Sequence, residues 1–204
     1  SASASPVMPS PIRRFAFAPR LTVPLSQHIG KPAVPCVRPG QEVVRGEPIA
    51  LADGHLSVPI HAPVTGVVEA IRLMPSARGP KTEAIVIKTY AADNQQVLYG
   101  ATRATEELTP AELIRAIQDS GLAGQGGAAF PTHAKLAAAR EHHVETLIVN
   151  GCECEPYQTT DHRLMLEWLD DLAAGIRLAL AASGARRAII GVEDNKPDAI
   201  DALR

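Results

Sequence analysis

Between Gly121 and Leu136 the chain reads GLAGQGGAAFPTHAKL. Gly124, Gly126 and Gly127 leave the backbone bare just before Pro131 and Thr132 open a helical pattern, and Lys135 falls in that helix's first turn. Bare backbone lets N–H groups converge on one ligand, and a helix N-terminus adds partial positive charge. A lysine there runs against the usual preference for acids in a first turn. An anion that neutralised amides and ammonium together would resolve the conflict; the plainer alternative is a close-packing loop with a solvated lysine. A second polar cluster, NGCECEP, offers the amide of Asn150 and the carboxylates of Glu153 and Glu155. Such groups can accept hydrogen bonds from ribose hydroxyls or hold the edge of a flavin. A third, GVEDNKP, adds Glu193, Asp194 and Asn195.

The elements that must position these groups fall into two halves. Up to about Thr89 the chain is rich in Pro, Gly and Val, with short apolar runs between turn signals, and reads as a small all-β module. RPGQEV and PVTGVV each place a glycine where a tight turn wants a positive φ. Beyond residue 107 the period changes. Thr109, Pro110 and Glu112 make a capping box for a helix with Leu113, Ile114 and Ile117 on its inner face and Gly121 at its end. After the glycine loop come a short helix, an apolar strand (ETLIVNG), one long helix capped by Asp161, a second buried strand (RRAIIGV) and a further helix from Lys196. The long helix is expected to bury Leu164, Met165, Trp168, Leu169, Leu172 and Ile176. Strand–helix alternation implies a parallel α/β sheet whose ligands sit at the carboxyl ends of the strands, where Asn150 to Glu155 and Glu193 lie. The chain stops within a helical pattern, so this α/β domain is expected to be incomplete.

Several chemistries are disfavoured. With 46% apolar and 21% charged residues and a net charge of −2, the chain shows no basic footprint for nucleic acid, and 3% aromatics give no stacking platform. No apolar run is long enough to span a bilayer. Gly124-x-Gly126-x-x-Ala129 meets the dinucleotide fingerprint in letters, but a helix precedes it where that motif needs a strand. Cys36, Cys152 and Cys154 are too few and too badly spaced for a cluster or a structural zinc, and a reduced setting is expected. His133, His142, His143 and His162 are read as solvated helix residues. No side chain is assigned a catalytic role or a metal.

Taken together, GQGGAAFPTHAKL, LIVNGCECEPYQTTDHRLM and IIGVEDNKP closely resemble the C subunit of the bacterial Rnf electron-transport complex, itself akin to the NADH-binding flavoprotein subunit of respiratory complex I. The β half is similar to the barrel-sandwich hybrid of biotinyl and lipoyl carriers, but ADGHLSVPIHAP carries no lysine to bear a prosthetic group. The resemblance implies an α+β, two-domain chain: a flexible lead-in at 1–20, a barrel-sandwich hybrid at 21–95, and at 96–204 the first part of a parallel, Rossmann-like FMN/NADH-binding domain. It implies that Gly124, Gly126, Gly127 and Lys135 cradle the FMN phosphate and ribityl chain, and that Asn150 and Glu153 complete the pocket. Phe130 and Glu155 would face NADH, with Glu193 and Asp194 as lesser candidates. The chain departs from complex I-type sequences at Cys152, where they carry an acid, at Cys154, where they carry glycine, and at Ala129, which replaces the usual glycine.

The function implied is NADH oxidation: hydride transfer to FMN, then electrons to iron–sulfur centres and ferredoxin. The 4Fe-4S clusters are expected only in a carboxyl-terminal part beyond this chain. The partners would be the other subunits of the Rnf complex at the cytoplasmic face of the bacterial inner membrane, with peripheral attachment, no insertion and no nucleic acid. Three other readings compete: a docking module without redox chemistry, an inert fragment that does not retain FMN, and a flavin-dependent cobalamin reductase of related design.

Overall fold

The computed structural model describes residues 10–13, 15–92, 94–100, 104–105, 107–125, 127–153, 155 and 157–204. The chain divides into two compact units, Ala16–Ala137 and a second made of Ser1–Phe15 with Ala138–Arg204.

The first unit begins with seven strands: β1 Arg20–Pro24, β2 Val34–Pro35, β3 Glu42–Val43, β4 Pro48–Leu51, β5 Ile60–His61, β6 Gly66–Ser76 and β7 Gly79–Thr89. They form two antiparallel sheets, ordered β1-β7-β6-β3 and β2-β4-β5. Between them lies a core of Val23, Leu25, Val43, Ile49, Val64, Val68, Ile85 and Ile87, none more than 7% exposed. Each such side chain contributes about 1.5–3 kcal/mol by leaving water, which offsets the ordering of so many short, proline-broken strands. Ala84 to Ile87 are all buried, so β7 is covered on both faces and reads as a continuous apolar run. Gly40 takes the expected positive φ of 85°. Gly66 does not; it opens β6, where a Cβ would stand 2.2 Å from the Lys88 carbonyl oxygen, so glycine is required for close strand approach and not for a turn.

Helix α1, Pro110–Asp119, starts as its sequence indicates. The Thr109 hydroxyl accepts the Glu112 N–H and the Glu112 carboxylate accepts the Thr109 N–H, at 3.3 and 2.8 Å. Helix α2 follows at Thr132–Glu141.

In the second unit, strands β8 Thr146–Asn150 and β9 Arg187–Gly191 pair in parallel, joined through α3 Thr160–Glu167 and α4 Leu169–Ser183; α5 Pro197–Ala202 closes the chain. The single long helix expected from the sequence is thus two. Trp168 leaves helical geometry at φ −130°, ψ 39° and is 51% exposed, so it marks a break and not a buried face. Asp170 and Asp171 then fall in the first turn of α4, where acids complement the helix dipole. Asp161 lies inside α3 and does not cap it. The strands are less buried than their apolar letters suggest: register partners Ile148 and Ile189 are 73% and 50% exposed. Among the described residues, no helix is long and apolar enough to cross a membrane.

Candidate functional site

The glycine loop is pinched at its base. The Gly124 N–H donates to the Phe130 carbonyl at 2.9 Å and the Thr132 N–H to the Leu122 carbonyl at 3.0 Å, which makes a one-pair antiparallel bridge between Ala123 and Pro131. The loop that these bonds close carries a row of amide donors. The N–H groups of Gln125, Gly127, Ala128, Ala129 and Phe130 donate to no described residue. Gly127 has φ 148°, with open space where a Cβ would stand. Gly126 lies outside the described residues. Ala129, with φ 51°, sits in the left-handed region, so the loop takes a glycine-type conformation at a non-glycine residue.

Lys135 is exposed and enters no ion pair among the described residues. The first turn of α2 holds no acid. Phe130 is half-buried. A groove of about 510 Å³ within the same unit is lined by Gly124, Gln125, Gly127 and Ala129 on one side and Gln27 and His61 on the other. A phosphorylated cofactor needs several N–H donors and a cation within reach of its dianion. The open loop amides are donors of that kind; Lys135 lies in the first turn of α2 and does not line the groove.

His133 departs from its expected exposure. It is 2% exposed, not solvated, because α2 turns that side inward with Ala134 and Leu136. Its Nε2–H donates to the His55 carbonyl at 2.8 Å, and burial lowers its pKa, so the ring is neutral. His162 is also largely enclosed, bonded through Nε2 to the Asp198 carboxylate at 2.9 Å. His142 and His143 are exposed as expected.

In the second unit, the carboxyl ends of β8 and β9 bring Asn150, Glu153 and Glu193 together. Gly151 is buried, its N–H on the Gly191 carbonyl at 2.8 Å, which ties the two strand ends. Asn150 is exposed, and its side-chain oxygen accepts the Cys152 N–H at 3.1 Å. Glu153 is buried and its carboxylate is fully engaged. It accepts the Asp161 N–H at 2.7 Å and the His162 N–H at 3.4 Å, so it caps α3 from eight residues upstream. It also meets the Lys196 ammonium at 2.7 Å, and Lys196 reaches Glu193 at the same distance. Burial pushes the Glu153 carboxyl up, but Lys196 and the α3 amides outweigh it and hold it below its ordinary value. Burial likewise pulls Lys196 down, and its two carboxylate partners raise it overall. Glu193 is lowered by its bond to Lys196. Burial and the nearby Glu153 charge raise Asp161.

Glu155 and Asp194 are exposed, with no ion pair among the described residues. Tyr157, 71% exposed, adopts φ 66° beside Glu155, a left-handed geometry uncommon for an aromatic residue. Lys196 is the member that sequence reasoning passed over. A lone cation after consecutive acids in VEDNKP is the signal that could have found it. Cys36 is exposed and Cys152 half-buried, both free thiols; Cys154 lies outside the described residues.

Residues 5–92 match the RnfC barrel sandwich hybrid domain, and residues 117–204 match the Nuo51 FMN-binding domain. Over 195 residues the chain is 43% identical to the C subunit of an ion-translocating oxidoreductase complex from Pseudomonas aeruginosa, covering 95% of this chain and 25% of that one. It is 38% identical over 190 residues to the C subunit of the Na(+)-translocating ferredoxin:NAD(+) oxidoreductase complex from Acetobacterium woodii, covering 93% of this chain and 43% of that one. The chain therefore spans well under half the length of these relatives. Among solved structures, a NAD+-reducing [NiFe]-hydrogenase in the air-oxidized state is 33% identical, with a TM-score of 0.43 over 46% of this chain and 17% of that one.

Proposed function

We propose that this chain, a homologue of the Rnf complex C subunit along nearly its whole length, serves as the FMN-holding and NADH-oxidising part of a membrane-associated electron-transport complex. The carrying observation is the donor set of the glycine loop. A row of amides and the Lys135 ammonium, without partners among the described residues, lie within a segment that matches an FMN-binding domain. FMN, when bound, supplies the two-electron to one-electron conversion between NADH and iron–sulfur centres.

The chain's own residues bind and orient. Gly124, Gly126 and Gly127 let amides close on the phosphate, while Lys135 neutralises its second charge. Asn150 offers an amide to the ring edge. Glu153 contributes by holding the strand-end loop and α3 in place, since its carboxylate is already engaged. Phe130 and Glu155 meet the nicotinamide and ribose groups of NADH, with Glu193 and Asp194 at the margin. No side chain is needed as a nucleophile or as a general acid. On this reading residues 1–20 are a lead-in, 21–95 a scaffold and 96–204 the cofactor domain. The partners are the other Rnf subunits, and the site of action is the cytoplasmic face of the bacterial inner membrane, without insertion. The segment from Ala52 to Pro59, between β4 and β5, holds no lysine, which disfavours a carrier function.

Reconstitution followed by anaerobic titration tests the reading. The protein is expected to quench FMN fluorescence on binding, and the bound flavin to lose its visible absorbance on addition of NADH. A protein that stays colourless after reconstitution, or a bound flavin that NADH leaves unchanged, defeats it.

A further inference from the structure

Four contacts within the unit Ala16–Ala137 tie the glycine loop and its flanking helices to two loops of the β module. The His133 Nε2–H donates to the His55 carbonyl at 2.8 Å, with the two rings edge to face at 5.7 Å between centroids. The Gln118 side-chain amide donates to the Ser57 carbonyl at 3.1 Å. The Ile29 N–H donates to the Ala129 carbonyl at 3.0 Å, at the residue held in left-handed geometry. Gly121, at φ 76°, lies so close to the module that a Cβ would stand 2.7 Å from the Pro59 carbonyl. The β-module side is itself fixed: the buried His28 accepts the Val58 N–H on Nε2 at 3.3 Å, which leaves its Nδ1–H for the Ile29 carbonyl at 3.0 Å.

We propose that the β-module loops around His28 and His55 form a clamp that shapes the phosphate cradle before any cofactor arrives, with His133 as its positioning residue. This rests on the FMN reading for the identity of the ligand, but the clamp itself rests on geometry. A glycine-rich loop is costly to order, because each residue fixed loses backbone freedom and glycine loses the most. Ordering it in advance removes that cost from binding. His133 is suited to hold and not to bind: it is buried and neutral. With Nε2 as the donor, its Nδ1 carries a lone pair with no partner among the described residues. Lys135, two positions on, is exposed and left for the ligand.

The experiment compares the unaltered protein with His133→Leu and His133→Gln. Gln keeps a donor near the Nε2 position, whereas Leu fills the space without one. Two readouts are taken: FMN affinity by fluorescence quenching, and, without FMN, hydrogen exchange of the bonded amides that hold the loop, those of Ile29, Gly124 and Thr132. Loss of one buried donor is expected to weaken FMN binding about tenfold in His133→Leu, with faster exchange of these amides. His133→Gln is expected to stay within about threefold of the unaltered protein. Unchanged affinity and exchange in His133→Leu overturn the clamp. Should the unaltered protein bind no FMN, the functional reading fails alone and exchange of these amides still decides the clamp, for or against. Should His133→Leu not fold, Gln118→Met removes one clamp bond from a half-buried position. Faster exchange of the same amides supports the proposal there, and no change refutes it.

Discussion

Lys196 is 8% exposed and bridges two carboxylates at 2.7 Å each, one of them nearly sealed from water. Removing one partner of a buried pair leaves an uncompensated charge, so Lys196→Met is expected to cost about 3 kcal/mol in urea denaturation. Adding Glu153→Gln to it should recover part of that loss, because the double variant no longer strands the carboxylate. An unchanged midpoint in Lys196→Met would contradict the geometry. The pair also sets an acid limit. Glu153 lies below its ordinary value of 4.5 in the folded chain, so its contribution is full above that pH and is lost as pH falls through the folded value. Lys196 is raised above 10.5, so its contribution holds at all lower pH and disappears only as pH rises through its folded value. The urea midpoint is therefore expected to drop on acidification below about pH 4.5, and Glu153→Gln to flatten that limb. An equally steep acid limb in Glu153→Gln would remove Glu153 as its source. At this scale the sequence identified the polar residues of the strand ends but not their pairing. Many acids stand near Lys196 in the chain, and only the fold selects Glu153 from 43 positions away.

Local signals determined much of what the elements do. Thr109, Pro110 and Glu112 interact within one turn, so α1 begins where they say it does. The glycine loop follows a helix, as the order of patterns required, and this rules out the dinucleotide fingerprint on context. The split of the long helix at Trp168 was illegible because an apolar stripe at helical spacing runs through the break unchanged. What fixes the start of α3 is the Glu153 carboxylate, a contact outside any helical window. The loop and α2 together carry one prediction. Lys135 is exposed and outside the packing, so Lys135→Ala should leave stability unaltered and weaken FMN by about tenfold to a hundredfold, the loss typical of a charge-assisted bond. NADH binding should change far less. Equal losses of both in calorimetry would contradict the phosphate role.

The molecule as a whole is two compact units, and the candidate ligand groups are shared between them: Gly124, Gly127, Phe130 and Lys135 in one, Asn150, Glu153, Glu155, Glu193 and Asp194 in the other. On the proposed function, Lys135→Ala and Asn150→Ala are each expected to weaken FMN binding in the full-length protein, as read by fluorescence titration; an unchanged affinity in either variant would remove that residue from the reading. The Gly66 turn and the Asp161 cap read from the letters did not form, but the order of a β module and an α/β segment, the turn at Gly40 and the Thr109 cap of α1 did. Each of these depends on neighbours a few positions apart or on composition. The burial of His133 against the β module, the engagement of Glu153 by Lys196 and the role of Gly66 in close strand approach came from the folded chain alone. Those outcomes depend on which distant backbone comes within hydrogen-bonding or van der Waals reach, and no local pattern of letters encodes that distance.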